Sequence, residues 1–199
     1  MNKHKGFTII EVALVLAIAG LIFMMVFIAL PNLWASERDT ERRDDVMNFL
    51  TQLKNFTGNN NRGALPKFAN SSDNEKYNAY KAVMIEGESI THTSKLNEKT
   101  WEAFLAGYFD DSYTDPQGEE YNYYIMTCMD EEGKMKNLDA PCDRKELREL
   151  ENGFFPNNHQ MYIVTGANCL DEHAKLSANK RQVAVLYRLE IGGIYCENL

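Results

Sequence analysis

An uninterrupted apolar run near the amino terminus constrains this chain more than any other feature of its sequence. From Val12 to Leu30, nineteen consecutive residues carry no charge, and none has a side chain more polar than Gly or Met. As a helix with a rise of 1.5 Å per residue, the run would extend about 28 Å, the thickness of the hydrocarbon core of a bilayer. The sequence therefore predicts one transmembrane helix, with membrane lipid as its first partner.

The rest of the chain has the composition of a globular protein with an acidic surface. Of the 199 residues, 44% are apolar and 25% are charged, and the formal net charge is −8. Removal of the first six residues, which include Lys3 and Lys5, would make the charge more negative still. An acidic surface repels phosphates, so we expect no direct binding of nucleic acid.

Four cysteines, Cys128, Cys142, Cys169 and Cys196, lie in the C-terminal part of the chain. Their gaps are too long for paired C-x-x-C metal knuckles, and an even number behind an export segment indicates disulfides outside the cytoplasm, with buried thiols or a metal as the alternatives. Of the three pairings we favour Cys128 with Cys142 and Cys169 with Cys196, because each pair brackets a polar, turn-rich loop. On the chain-entropy model the second bond would add about 3.6 kcal/mol.

The amino terminus does not fit a secretory signal peptide, because its apolar run is too long and no small-x-small cleavage site follows it. An uncleaved anchor explains the length and the basic start, but it does not explain Glu11. An acid deep in a lipid-facing helix costs about 2.5 to 3.5 kcal/mol, and such acids usually have a function and a partner. The alternative is that Glu11 lies one turn inside the span and reaches the interface.

The stretch Gly6-Phe7-Thr8-Ile9-Ile10-Glu11 resembles the processing site of type IV prepilins and the related pseudopilins. In that family a short basic leader ends in Gly, Phe follows, and Glu is the fifth residue of the mature chain. The resemblance implies that a prepilin peptidase cuts between Gly6 and Phe7 on the cytoplasmic side and methylates the amine of Phe7. Gly20 falls where pilins have their helix glycine.

The resemblance also implies a role for Glu11 in assembly. Its carboxylate would neutralise the freed amine of Phe7 on a neighbouring subunit, an attraction of about 4 kcal/mol at 4 Å and an effective dielectric of 20, before desolvation is subtracted. The partners are then further copies of the chain, other pilins and an inner-membrane assembly platform. Glu11, Gly20 and Pro31 are the predicted assembly residues.

We expect four segments: a leader at 1–6, a transmembrane and assembly helix at 7–31, an amphipathic half of the same helix at 32–57 and an extracytoplasmic globular head at 58–199. Pro31 removes a backbone donor, so the helix should kink or loosen there. Its distance from Gly20 is longer than in family pilins, which leaves the place of any helix melting open.

The amphipathic half carries an apolar stripe with helical spacing, which should seat the head. The stripe consists of Val46, Phe49, Leu50, Leu53 and Phe56. Before it, residues 37–45 read ERDTERRDD, either a solvated helix surface or a surface for salt bridges between subunits. Gly58 should end the helix.

The predicted fold class is α+β: a long N-terminal helical spine packed on a small antiparallel sheet, as in pilin heads. Ser72-x-x-Glu75 indicates a helix through Met84, and residues 97–107 indicate another. Strands are expected at 121–129, 159–165 and 182–190, followed by a Gly192-Gly193 turn into 194–196. Cys169 and Cys196 lie where pilins have their C-terminal disulfide region.

Asp115-Pro116-Gln117-Gly118 resembles the turn before the first strand of major pseudopilins, a group in which some members bind calcium. Pro at the second position and Gly at the fourth suit a type I turn, so structure alone explains the motif. An acidic patch surrounds it, formed by Asp110, Asp111, Asp115, Glu119 and Glu120. Its spacing is not that of a known calcium loop, and we expect no metal and no cofactor.

No catalytic residue is predicted, because His92, His159 and His173 lie in polar contexts without a nucleophile elbow, a zinc helix or a phosphate loop. The sequence predicts a structural subunit of a type IV pilus, in the cytoplasmic membrane before assembly and at the cell surface afterwards, for motility, adhesion or DNA uptake. A pseudopilin of a type II secretion system is the alternative, and a membrane-anchored extracytoplasmic enzyme is more remote.

Overall fold

The computed structural model describes residues 6–60, 63–67, 83–85, 99–109, 113–128, 141–142, 147, 150 and 159–199. In chain order its elements are α1 (Ile9–Asn60), β1 (Val83–Ile85), α2 (Trp101–Tyr108), β2 (Asn122–Thr127), β3 (Gln160–Thr165), β4 (Ala167–Leu170), β5 (His173–Leu176), β6 (Val183–Arg188) and β7 (Ile194–Asn198). The chain divides into two compact units, Met1–Glu37 and Arg38–Leu199.

The first helix, α1, is 52 residues long and includes Pro31. The helix, which was expected to kink or loosen at this proline, continues past it. The predicted end at Gly58 is two residues too early, because α1 continues to Asn60. Beyond it, the N–H of Gly63 donates to the carbonyl of Thr57 at 2.7 Å, and Gly63 has a φ of 77°, a conformation that favours glycine.

Five strands form the main sheet in the order β1-β2-β3-β6-β7, and β4 and β5 form a separate two-stranded sheet. The α+β class is confirmed. The sheet is mixed rather than wholly antiparallel, because β2 and β3 are parallel, with Tyr123 opposite Met161. The hairpin of β4 and β5 lies in the region predicted only as a disulfide-bounded loop.

Both helices predicted in the head need correction. Val83 and Met84 lie in β1, so the helix predicted through Met84 is wrong at its end, and its residues 72–82 lie outside the described part of the chain. The second begins at Trp101, later than predicted, because Thr100 caps it: its Oγ1 accepts a hydrogen bond from the N–H of Ala103 at 3.2 Å.

The apolar core of the head lies on both faces of the main sheet. On one face the α1 stripe packs with α2 and the sheet, and Phe49 is at its centre, with ring centroids 5.6 Å from Phe104 and 6.0 Å from Tyr123. All five predicted stripe residues are buried. The strand expected at 182–190 contains β6, and alternate side chains along it face this core: Val183, Val185, Tyr187 and, just beyond the strand, Leu189.

Candidate processing and assembly site

The amino-terminal motif lies at the start of α1. Residues 6–8 precede the helix, and Phe7 is 89% exposed. No described residue lies within 4 Å of a methyl group added at Gly6. The Gly6–Phe7 bond, which the resemblance marks for cleavage, is therefore in an open, non-helical segment directly before the helix.

Thr8 and Glu11 form a reciprocal cap at this helix end. The N–H of Thr8 donates to Glu11 Oε2 at 2.8 Å, and Thr8 Oγ1 donates to the same oxygen at 2.9 Å. In return, the N–H of Glu11 donates to Thr8 Oγ1 at 3.3 Å. This is the capping-box arrangement, in which two otherwise unsatisfied backbone donors are paired. Glu11 therefore has a partner within its own chain, which the sequence reasoning missed although the Thr8-x-x-Glu11 spacing signals it.

The apolar residues of the predicted span are not buried in the described structure. Between Ile9 and Trp34 no described side chain is buried. Within the described residues, one helix is long and apolar enough to cross a membrane, and it contains this segment. Phe7 and Glu11 border a groove on its surface with Val12, Leu14, Val15 and Leu16. A helix that is apolar on every side requires either lipid or other helices around it.

The other two predicted assembly residues lie farther along the same helix. No described residue lies within 4 Å of a methyl group added at Gly20, so no contact in the described part of the chain requires glycine there. Pro31 lies inside the helix. The structure thus brings Phe7 and Glu11 together at one end and leaves Gly20 and Pro31 apart from them.

In the head, a buried guanidinium ties α1 to two distant turns. Arg42 is fully buried, at 0% exposure. Its Nε and Nη2 donate to the two oxygens of Asp115 at 2.8 and 3.3 Å. Its Nη1 donates to Asp39 Oδ1 at 3.0 Å and to Glu190 Oε2 at 3.2 Å. Burial alone would lower the pKa of Arg42, but the bond to Asp115 and the charges around it raise the pKa above its ordinary value.

Asp39 and Arg38 complete this network. The two oxygens of Asp39 accept the N–H groups of Glu190 and Ile191 at 2.8 and 3.0 Å. Arg38 forms a bidentate salt bridge with Glu190: its Nε donates to Oε2 at 2.8 Å and its Nη2 donates to Oε1 at 2.5 Å. This hydrogen bonding lowers the pKa of Glu190. We call Arg38, Asp39, Arg42, Asp115 and Glu190 the Arg42 clamp.

The clamp corrects the interpretation of the charged segment at 37–45. Asp39 and Arg42 are buried and pair within the chain, so they are neither solvated surface nor free for salt bridges between subunits. Glu41, Arg43 and Asp44 are exposed, as the first interpretation expected.

Asp115 has a structural role in its turn. The N–H of Gly118 donates to the carbonyl of Asp115 at 2.7 Å and closes the turn, while the N–H of Gln117 donates to Asp115 Oδ1 at 2.9 Å. The hydroxyl of Tyr187 donates to Asp115 Oδ2 at 3.0 Å. Asp110 and Asp111 of the predicted acidic patch lie outside the described residues. Among those described, no group of three or more His, Cys, Asp or Glu side chains is arranged to hold a metal ion.

Both cysteine pairs form disulfides. Cys128 is joined to Cys142 and Cys169 to Cys196, the pairing that the sequence favoured. The first bond attaches the segment after β2 to the core face that also buries Leu147 and Leu150, and the second joins β4 to β7. Each bond therefore joins a strand of the main sheet, or the residue just after it, to a segment outside that sheet.

A helical segment with no buried side chain from Ile9 to Trp34, followed by a disulfide-bonded α+β head, fits membrane anchoring of a globular domain. Residues 1–27 match the family described as the prokaryotic N-terminal methylation motif, the class III signal motif of type IV pilins. No curated protein and no solved structure matches the chain. The motif supports a type IV pilin-like or pseudopilin-like protein.

Proposed function

We propose that this chain is a structural subunit of a type IV pilus, which polymerises through its N-terminal helix into a surface filament for motility, adhesion or DNA uptake. The observation that carries the proposal is the methylation motif followed by a helical segment in which no side chain from Ile9 to Trp34 is buried. Other copies of this segment would bury its apolar side chains. The role is structural rather than enzymatic.

In this proposal, residues 1–6 are a leader, 7–31 the membrane and assembly helix, 32–57 its continuation and 58–199 the extracytoplasmic head. A prepilin peptidase cuts between Gly6 and Phe7 and methylates the new amine. The open, non-helical segment before Ile9 supports this step, because a protease requires its scissile bond in an extended, accessible chain.

Assembly then gives Glu11 a second partner. In the single chain its carboxylate is bonded to Thr8, which fixes it beside Phe7 at the helix start. In a filament it would also face the methylated amine of a neighbouring copy, an attraction of about 4 kcal/mol before desolvation. Gly20 would allow a neighbouring helix to approach closely, since no described residue of its own chain occupies the space beside it.

A pseudopilin of a type II secretion system is the second candidate. The turn from Asp115 to Gly118 favours it, because this motif resembles the turn of major pseudopilins. Both candidates share the same processing and the same membrane-anchored state before assembly. They differ in where the assembled subunit is found.

The test combines the N-terminal mass of the protein with its distribution between sheared surface filaments and the cell envelope. The proposal expects a chain that begins at methylated Phe7 and is recovered in the sheared fraction. The same chain confined to the envelope would favour the pseudopilin. An intact leader on a protein that stays monomeric would contradict both the pilin and the pseudopilin proposals. A Gly6→Ile variant, which should not be cleaved between residues 6 and 7, gives the mass of the unprocessed chain as a reference.

A further inference from the structure

We propose that two oppositely charged surfaces of the head bind each other between copies of this chain: a basic end on one copy and an acidic groove on the next. The polymer in which this contact would repeat rests on the proposed function. The contact itself can be measured between two unassembled copies.

The first surface lies where α1 ends, and we call it the basic end. It consists of five exposed cations: Lys54, Lys67, Lys99, Lys180 and Arg181. The N–H of Gly63 donates to the carbonyl of Thr57 near the end of α1, and a methyl group added at Gly63 would lie 3.1 Å from Nη1 of Arg181. The N–H of Lys67 donates to the carbonyl of Lys99 at 2.7 Å. In a chain with a net charge of −8, the basic end is a local excess of positive charge.

The second surface is a groove of about 420 Å³ between α1 and the Asp115 turn, and we call it the acidic groove. Three acids of α1 line it: Glu41 and Asp44, which are exposed, and Asp45, which is half-buried. Burial raises the pKa of Asp45, a hydrogen bond from the hydroxyl of Tyr121 lowers it, and neighbouring carboxylates raise it further. An additional cation in the acidic groove would therefore be stabilising.

Neither surface is neutralised by an ion pair within its own head. The arginines of α1 nearest to the acidic groove are engaged elsewhere: Arg38 and Arg42 are bonded within the Arg42 clamp, and Arg43 lies over the ring of Tyr195. Among the described residues, no ion pair includes an exposed acid of the groove or a cation of the basic end. Both surfaces are therefore available for a charged partner, and their signs are complementary.

The two surfaces of one head are too far apart to meet. Between Asp44 and Thr57, α1 advances about 20 Å at a rise of 1.5 Å per residue, which is farther than one side chain extends. The contact therefore forms between copies, and it is heterologous because the two surfaces differ. Contacts of this type build rings or helical filaments, and opposite charges across them fix the register of the subunits.

Carbodiimide cross-linking of the full-length chain in detergent micelles at low salt tests the contact, because the reagent joins a lysine amine to a carboxylate that it touches. A mixture of isotope-labelled and unlabelled protein distinguishes bonds between copies by their mass. We expect mixed cross-links between a lysine of the basic end and Glu41 or Asp44. They should be at least about tenfold fewer in about 0.5 M salt, because salt screens exposed charges. Their absence at low salt would overturn the proposal.

Charge reversal in cells tests the same contact in the polymer. Lys180→Glu/Arg181→Glu should lower the filament yield in a shear assay at least about tenfold. Adding Glu41→Lys/Asp44→Lys to the same chain should restore the yield, because the attraction returns with its signs exchanged. Glu172→Lys is the control, since it reverses an exposed acid on the turn between β4 and β5 and should assemble like the parent. All variants should melt close to the parent, because exposed substitutions change stability little.

The outcomes separate this contact from the proposed function. Parental yields for Lys180→Glu/Arg181→Glu, or no recovery in the folded chain with all four substitutions, would overturn the proposal. Loss of binding to a DNA duplex in Lys180→Glu/Arg181→Glu, with the cross-links between copies retained, would also overturn it and make the basic end a nucleic-acid surface. If the parent gives the expected cross-links but no filaments, the proposed function fails and the contact stands.

Discussion

Replacing Arg42 by alanine removes the cation at the centre of the Arg42 clamp. Arg42 is 0% exposed and Asp115 is 2% exposed, so the variant leaves a carboxylate buried without its main partner. Breaking a buried ion pair from one side costs about 3 to 5 kcal/mol. Since each kcal/mol lowers the melting temperature of a domain of this size by about 2 to 4 °C, the expected decrease is about 6 to 20 °C.

The assay is thermal unfolding of the full-length protein in detergent, followed by near-ultraviolet circular dichroism of the tyrosine-rich head. Arg43→Ala is the matched control, because Arg43 is an exposed neighbour whose guanidinium lies 5.6 Å from the ring centre of Tyr195. Loss of such an exposed contact should cost no more than about 1 kcal/mol. Equal melting temperatures for Arg42→Ala and Arg43→Ala would refute the reasoning.

A double variant separates the charge from the packing. Arg42→Met with Asp115→Asn removes both charges of the pair and keeps most of the volume, so no charged member of it remains buried alone. Replacing both members of a buried pair is often neutral or stabilising. We therefore expect the double variant to melt above Arg42→Ala, and a lower melting temperature would mean that packing, not charge, explains the loss.

The remaining predictions concern assembly, pH and the second disulfide. Glu11→Ala should still insert and be cleaved but give few filaments, and a normal yield in a shear assay would contradict the docking role. Because its bonds to Arg38 lower the pKa of Glu190, this carboxylate contributes stability above its unfolded-state pKa, and the contribution is lost as pH falls through the folded-state value. The parent should therefore lose its advantage over Glu190→Gln in melts taken at decreasing pH, and a constant difference would contradict this. Replacing Cys169 and Cys196 by serine together should lower the free energy of unfolding by about 3.6 kcal/mol in denaturant titrations, since the bond closes a separation of 27 residues.

Local periodicity was sufficient to predict the parts of the fold that depend on residues close together in the chain. The stripe from Val46 to Phe56 repeats at helical spacing, and all its members are buried. The strand expected at 182–190 contains β6, which extends from Val183 to Arg188. The apolar run from Val12 to Leu30 predicted a helix because its length and composition suit no other element.

Contacts between distant segments could not be predicted in the same way. Nothing near Arg42 in sequence signals that its partner is Asp115, 73 residues away. The parallel pairing of β2 with β3 likewise depends on the path of the chain between them, so an antiparallel sheet was expected. The β4 and β5 hairpin was missed because its strands are four residues each and polar residues interrupt them.

In the candidate site, too, the features that depend on neighbouring residues are the ones that the sequence signals. Gly6, Phe7 and Glu11 were predicted as site residues from a short motif, which is local in sequence. The bonds between Thr8 and Glu11 are equally local, and a capping-box spacing signals them. The acid was expected either to pair with another chain or to reach the membrane interface, so its intrachain role was missed.

The most direct test of the account is the distance between the Phe7 nitrogen and the Glu11 carboxylate of the neighbouring copy in an assembled filament, measured by electron cryomicroscopy. The account predicts a separation of about 4 Å or less, with the leader absent and the amine methylated. A filament in which each Glu11 is bonded only to Thr8 of its own chain, with no neighbouring amine within reach, would contradict it.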